Sequence, residues 1–164
     1  MLVLTPLSVF ANDPKTINWE NLIPKDWNPN SVFDPYTDEE ISTMSDEDYF
    51  ILQQQAQAMF DAAPTVDKLN GETVKIPGYV LPLEFDNATK VTEFLLVPYY
   101  GACIHTPPPP ANQMIHAKLE SPFILEEMFT AVWISGKIEA IRSENLYAES
   151  GYSMAVSDIE LYEE

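Results

Sequence analysis

The chain has 164 residues, enough for one domain with a buried core. Eight Lys and Arg stand against 26 Asp and Glu, giving a net charge of −18. Nucleic-acid binding requires cations that displace counterions from phosphates, so this balance excludes it. It also disfavours anionic membrane surfaces and acidic partners, and leaves neutral ligands, metal cations and basic proteins.

Residues 2–11 form an apolar run ending Val9-Phe10-Ala11. Small residues at the −3 and −1 positions suit a signal-peptidase site, with Asn12 as the mature start, although the usual positive n-region is missing. The expectation is an exported, periplasmic protein with residues 1–11 as a signal-peptide remnant. A first β-strand is the alternative. No other run reaches the ~18 apolar residues of a transmembrane span, so none is expected. No Cys follows the run, so no lipid anchor is assigned. The one cysteine, Cys103, cannot close an internal disulfide.

Residues 12–64 read as an N-terminal arm and helix packed on the following domain. The arm scatters Trp19, Trp27, Phe33 and Tyr36 among Pro24, Pro29 and Pro35. Thr37-Asp38-Glu39-Glu40 has capping-box spacing and predicts a short helix. Ser45 is an N-cap followed by three acids, and Tyr49, Leu52, Ala56, Met59, Phe60 and Ala63 share one helical face. These predict a helix over 46–62, stopped by Pro64, whose stripe packs into the core.

Residues 65–164 change to a period of two. A long strand from Val74 to Phe85, kinked around Gly78 and Pro82, is apolar in both phases. Asp86-Asn87 predicts a turn. Val91–Val97 is a second strand, and Gln113–Leu119 a third, with Met114, His116 and Lys118 on one face. Phe129–Ala140 is a fourth. Tyr152–Leu161 is a fifth, with a phase slip before Ile159. The expected fold is mainly β: a small five-stranded barrel, closed or nearly so, with a helical and irregular N-terminal extension.

The chemistry concentrates between Gly101 and His116. Cys103 and both histidines, His105 and His116, fall within fourteen positions. Cys103 and His105 are two apart, so on an extended chain they point the same way. Pro107, Pro108, Pro109 and Pro110 hold a stiff polyproline run between them and His116. One thiolate and two imidazoles suit zinc or copper, and Met114 would favour Cu(I). The expected metal ligands are therefore Cys103, His105 and His116. Plain packing is a second reading, since free Cys is commonly buried. A reactive thiol at Cys103 is a third. No nucleophile elbow, phosphate loop or HExxH is present, so no catalytic residue is assigned and the chain is not expected to be an enzyme. In a further reading the Pro-rich loop braces a docking surface for an envelope or transporter-associated partner, with Tyr99, Tyr100, Pro107–Pro110, Asn112 and Gln113 as interaction residues.

Two stretches carry a family resemblance. Leu69-Asn70-Gly71-Glu72-Thr73-Val74-Lys75-Ile76-Pro77-Gly78-Tyr79-Val80-Leu81-Pro82-Leu83-Glu84 is one, and the run from Phe94 through Cys103-Ile104-His105-Thr106-Pro107-Pro108-Pro109-Pro110-Ala111-Asn112-Gln113 is the other. Over about residues 66–162 the chain resembles the bacterial domain-of-unknown-function family 3299 (DUF3299). The resemblance implies an OB-like barrel in an exported protein of Gram-negative bacteria, often a lipoprotein, with no established activity. It also implies, for some members, a place beside transporter components linked to metal handling.

Overall fold

The structure, a computed structural model, describes residues 13–83, 90–102, 108–145 and 147–163. The predicted Asp86-Asn87 turn, Cys103, His105 and Pro107 lie outside the described residues, as does the apolar run of residues 2–11.

The elements follow in chain order. A two-residue strand β1 (Lys15–Thr16) leads to helices α1 (Asp38–Thr43) and α2 (Asp46–Asp61). Strands β2 (Thr73–Pro82), β3 (Lys90–Val97), β4 (Ile115–Ile124) and β5 (Ala131–Glu139) come next. A short hairpin, β6 (Ser143–Glu144) and β7 (Glu149–Ser150), precedes β8 (Tyr152–Leu161). Both predicted N-caps form: the Thr37 side chain accepts from the Glu40 N–H in a capping box, and the Ser45 side chain accepts from the Asp48 N–H.

The five long strands close in the order β2-β3-β4-β8-β5 and back to β2. Only the β4–β8 pair within this ring is parallel. Numbered along the barrel strands alone, that is 1-2-3-5-4-1, the winding of an OB-type barrel. Closure removes the exposed edges that an open five-stranded sheet would present. The predicted phase slip is a bulge on β8: Asp158 pairs with Ser135 and Val156 with Gly136, leaving Ser157 over. Gly136 is required there, because a Cβ would sit 2.2 Å from the Ala155 carbonyl oxygen.

Two apolar cores result. The barrel interior holds Val74, Ile76, Phe94, Leu96, Ile115, Ala117, Ile134, Ile138 and Met154. A second, smaller core lies on the outer face of β2, β3 and β4, where Leu81, Leu95, Val97, Ala102, Met114 and Phe129 pack together. Tyr147 and Ala148, from the β6–β7 hairpin, pack against that outer layer. This explains why β2 reads as apolar in both phases: each of its faces meets a core.

Three details differ from the sequence reading. The third barrel strand starts at Ile115, because Ala111–Gln113 is a 3-10 turn, and it runs on to Ile124 past Pro122. The β6–β7 hairpin has no apolar alternation and went unpredicted. In α2, Leu52 and Ala56 are buried, but Tyr49 is 42% exposed, so the apolar stripe is only partly covered.

The arm is tied to the barrel by polar contacts. The Trp19 indole N–H donates to the Pro77 carbonyl at 2.8 Å. The Tyr152 hydroxyl, fully buried, accepts from the Val66 N–H at 2.6 Å and donates to the Leu22 carbonyl at 2.9 Å. No described helix is long and apolar enough to cross a membrane.

Candidate functional site

Strand alternation sorts β3 and β4 by face. Ile115 and Ala117 point into the barrel, so His116 and Met114 belong to the outer face, as do Leu95 and Val97 of β3. Glu93 lies on that same outer phase of β3, and its strand partner is Lys118. A bulge between Val91 and Glu93 adjusts the register there.

His116 is buried, at 7% exposure, and both ring nitrogens are occupied. Nε2 lies 2.5 Å from Glu93 Oε1, and Nδ1 lies 2.8 Å from Ser143 Oγ. Lys118 Nζ reaches the same Glu93 oxygen at 3.1 Å. Partial burial pushes the Glu93 carboxyl upward. The hydrogen bonds and charges of Lys118 and His116 outweigh this and hold it below the ordinary carboxylate range. Glu93 is therefore ionised and only accepts. The hydrogen on Nε2 must point at it, which in a neutral imidazole leaves the Nδ1 lone pair to accept from the Ser143 hydroxyl. Ser143 is carried by the β6–β7 hairpin, and its carbonyl accepts from Ser150 Oγ at 3.2 Å.

The rest of the Pro-rich segment works as a brace. Pro109, Ala111 and Asn112 are buried, while Pro108 and Pro110 are half-buried. The Pro110 carbonyl accepts the Gln113 N–H at 2.7 Å, and the Ala111 carbonyl accepts the Gly151 N–H at 2.6 Å. Asn112 Nδ2 donates to the Pro64 carbonyl at 2.9 Å, and Gln113 Nε2 to the Trp19 carbonyl at 2.9 Å. This one turn thus grips the arm, the exit from α2 and the start of β8. Upstream, Gly101 turns the chain at a φ of 78°, a conformation glycine adopts freely. Tyr99 is 47% exposed and Tyr100 72% exposed. The Tyr100 ring meets Tyr79 edge-on at 6.2 Å and Phe129 at 5.3 Å. Phe129 itself sits in the left-handed region, at φ 60°.

Of the expected ligands, only His116 falls among the described residues. Among those residues no three His, Cys, Asp or Glu side chains converge as a metal-binding group. Sequence reading missed Glu93 and Ser143 as partners of His116, and Lys118 as a partner of Glu93. Glu93 had a signal: it is the one acid in the run Val91–Val97, on the phase of Leu95 and Val97. Ser143 had none, because nothing local marks a serine that meets a strand 27 residues away.

Residues 19–161 match the family described as "Protein of unknown function (DUF3299)". The chain belongs to the DUF3299 family. A crystal structure of another DUF3299 family protein, PA4066 from Pseudomonas aeruginosa PAO1 at 2.45 Å resolution, is similar throughout. The TM-score is 0.70 at 35% sequence identity, over 93% of this chain and 98% of that one. No curated protein matches the chain.

Proposed function

We propose that this DUF3299 protein is an exported, periplasmic metal-binding or metal-trafficking accessory protein, with His116 as a ligand through Nδ1 and with Cys103 and His105 completing a zinc or copper set. The carrying observation is the Nε2 contact with Glu93. A histidine that ligates a metal through one nitrogen commonly donates its other N–H to a carboxylate, which fixes the tautomer and raises ligand basicity. Glu93 accepts the Nε2 hydrogen of His116 and so leaves Nδ1 as the nitrogen with the lone pair in the neutral ring. The −18 net charge favours the approach of cations. The test uses untagged protein purified without chelators and assayed by elemental analysis. One equivalent of zinc or copper is expected, and none in Cys103→Ala or His116→Ala. Native protein that binds neither metal below micromolar concentration overturns the reading.

A second reading, a non-enzymatic interaction module of the envelope, draws on Tyr100, which is held against Tyr79 and Phe129 yet largely open to solvent. Here the Pro-rich turn is the brace and the aromatic surface does the docking. Tyr100→Ala would then lose co-purification of an envelope partner, and Cys103→Ser would retain it. The reverse pattern rules this reading out.

A further inference from the structure

Helix α2 is attached to the barrel without joining its cores. Its buried residues, Leu52 and Ala56, belong to neither apolar cluster. Its C-terminal end is held instead by a cation from the barrel side. Arg142 donates through Nη2 to the Ala63 carbonyl at 2.7 Å and through Nη1 to the Asp61 carbonyl. That satisfies carbonyls a helix end leaves open and supplies the positive charge its dipole favours. The C-terminal end of the helix is therefore tied to the barrel side.

What it presents is unusual for a surface helix. From Tyr49 to Phe60 the sequence Tyr-Phe-Ile-Leu-Gln-Gln-Gln-Ala-Gln-Ala-Met-Phe contains no charge. Solvent-facing helix surfaces ordinarily carry charged residues. Here Phe50 is 59% exposed and Ile51 46% exposed, with Gln54, Gln55 and Ala58 open beside them. Exposed apolar groups without interspersed charge have the composition of an interface core. The surroundings have one sign. Residues 26–67 contain ten Asp and Glu and no Lys, Arg or His. Asp46, Glu47 and Asp48 form the first turn of α2, just after Asp38, Glu39 and Glu40 of α1.

We infer that the outward face of α2 docks into a groove on a partner protein whose floor is apolar and whose rim is rich in Lys and Arg. The apolar residues supply the contact and the acids select the partner, as in helix-in-groove recognition. A second copy of this chain is a poor occupant, because two acidic rims would repel each other. An anionic lipid surface is disfavoured by the same charge.

Photocross-linking tests this in the full chain, made in the cells that naturally produce it. A benzophenone amino acid replaces Phe50 or Gln54, with Glu120, an exposed residue of β4, as the control position. One discrete adduct is expected from 50 and 54 and none from 120. Its yield should fall several-fold at about 0.5 M salt, where screening reaches within a few ångströms. The cross-linked peptide should come from a Lys- and Arg-rich segment. Adding Phe50→Asp and Ile51→Asp to the Gln54 probe should abolish the adduct without shifting the melting temperature, since both side chains are exposed. An adduct of twice the chain mass, a salt-insensitive adduct, persistence in the double variant, or no discrete adduct at 50 and 54 each overturns the inference.

Discussion

Glu93 of β3 and His116 of the adjacent strand β4 meet on the outer face of the barrel, where the Glu93 carboxylate lies 2.5 Å from the His116 Nε2. In the proposed metal site, that contact would decide which nitrogen of His116 ligates. Glu93→Gln can still accept, but it can equally present its amide and no longer enforces the tautomer. Zinc or copper affinity should fall by about 10- to 100-fold, the usual cost of losing such a partner. Titration against a competing chelator measures it, and unchanged affinity would remove Glu93 from the site.

The same carboxylate predicts a pH dependence of stability. Its folded pKa lies below its unfolded value of about 4.5. A depressed carboxyl stabilises the fold above the unfolded pKa, and the contribution is lost as pH falls through the folded value. Urea midpoints of the wild type should therefore drop as pH falls below about 4.5. The drop should be shallower in Glu93→Gln. Parallel curves for the two proteins would mean that Lys118 and His116 do not stabilise the ionised form.

Ser143→Ala separates folding from binding. With His116 neutral and its Nε2 hydrogen on Glu93, the hydroxyl donates to Nδ1, so its loss removes one hydrogen bond, about 1 kcal/mol of stability. It also frees the nitrogen proposed to ligate. Metal affinity should hold or rise while the thermal midpoint falls slightly. A loss of metal in parallel with stability would show that Ser143 belongs to the ligand shell instead of competing with it.

The barrel was legible in the sequence because its strands carry their burial in their periodicity. Val91–Val97 and Tyr152–Leu161 alternate, and even the β8 bulge left its mark as a phase slip before Ile159. Helix α2 was legible through Ser45 and the acids after it. The partners of His116 were not. Glu93 and Ser143 reach it only because the barrel sets β3 beside β4 and the hairpin folds over them, and these are long-range contacts with no local pattern. The partial exposure of α2 was hidden for a related reason: periodicity reveals an apolar face but not how far a neighbour covers it.

Gly136→Ala tests the closure of the barrel. The added methyl would lie 2.2 Å from the Ala155 carbonyl oxygen, and both residues belong to paired strands whose backbone cannot rotate away. Overpacking of this kind usually costs about 1–3 kcal/mol, and a contact this short falls at the top of that range or above it. The variant should be insoluble or melt well below the wild type by circular dichroism. A wild-type melting temperature would mean that β5 and β8 are not paired in this register.

Tyr152→Phe tests how the arm is fastened. The hydroxyl serves two groups at once, the Val66 N–H and the Leu22 carbonyl, at a position with no solvent exposure. Phenylalanine fills the same volume and leaves both backbone groups without this partner. Each uncompensated buried group costs about 1–3 kcal/mol, so a total loss of about 2–6 kcal/mol is expected in chemical denaturation. The damage should be local as well as global, because the two groups lie on segments outside the barrel strands. Limited proteolysis should cut the 22–66 region of the variant faster than that of the wild type, while hydrogen exchange in β2 and β5 stays slow. Equal cleavage rates in the two proteins would assign the anchoring of the arm to its other contacts, those of Trp19, Asn112, Gln113 and Arg142.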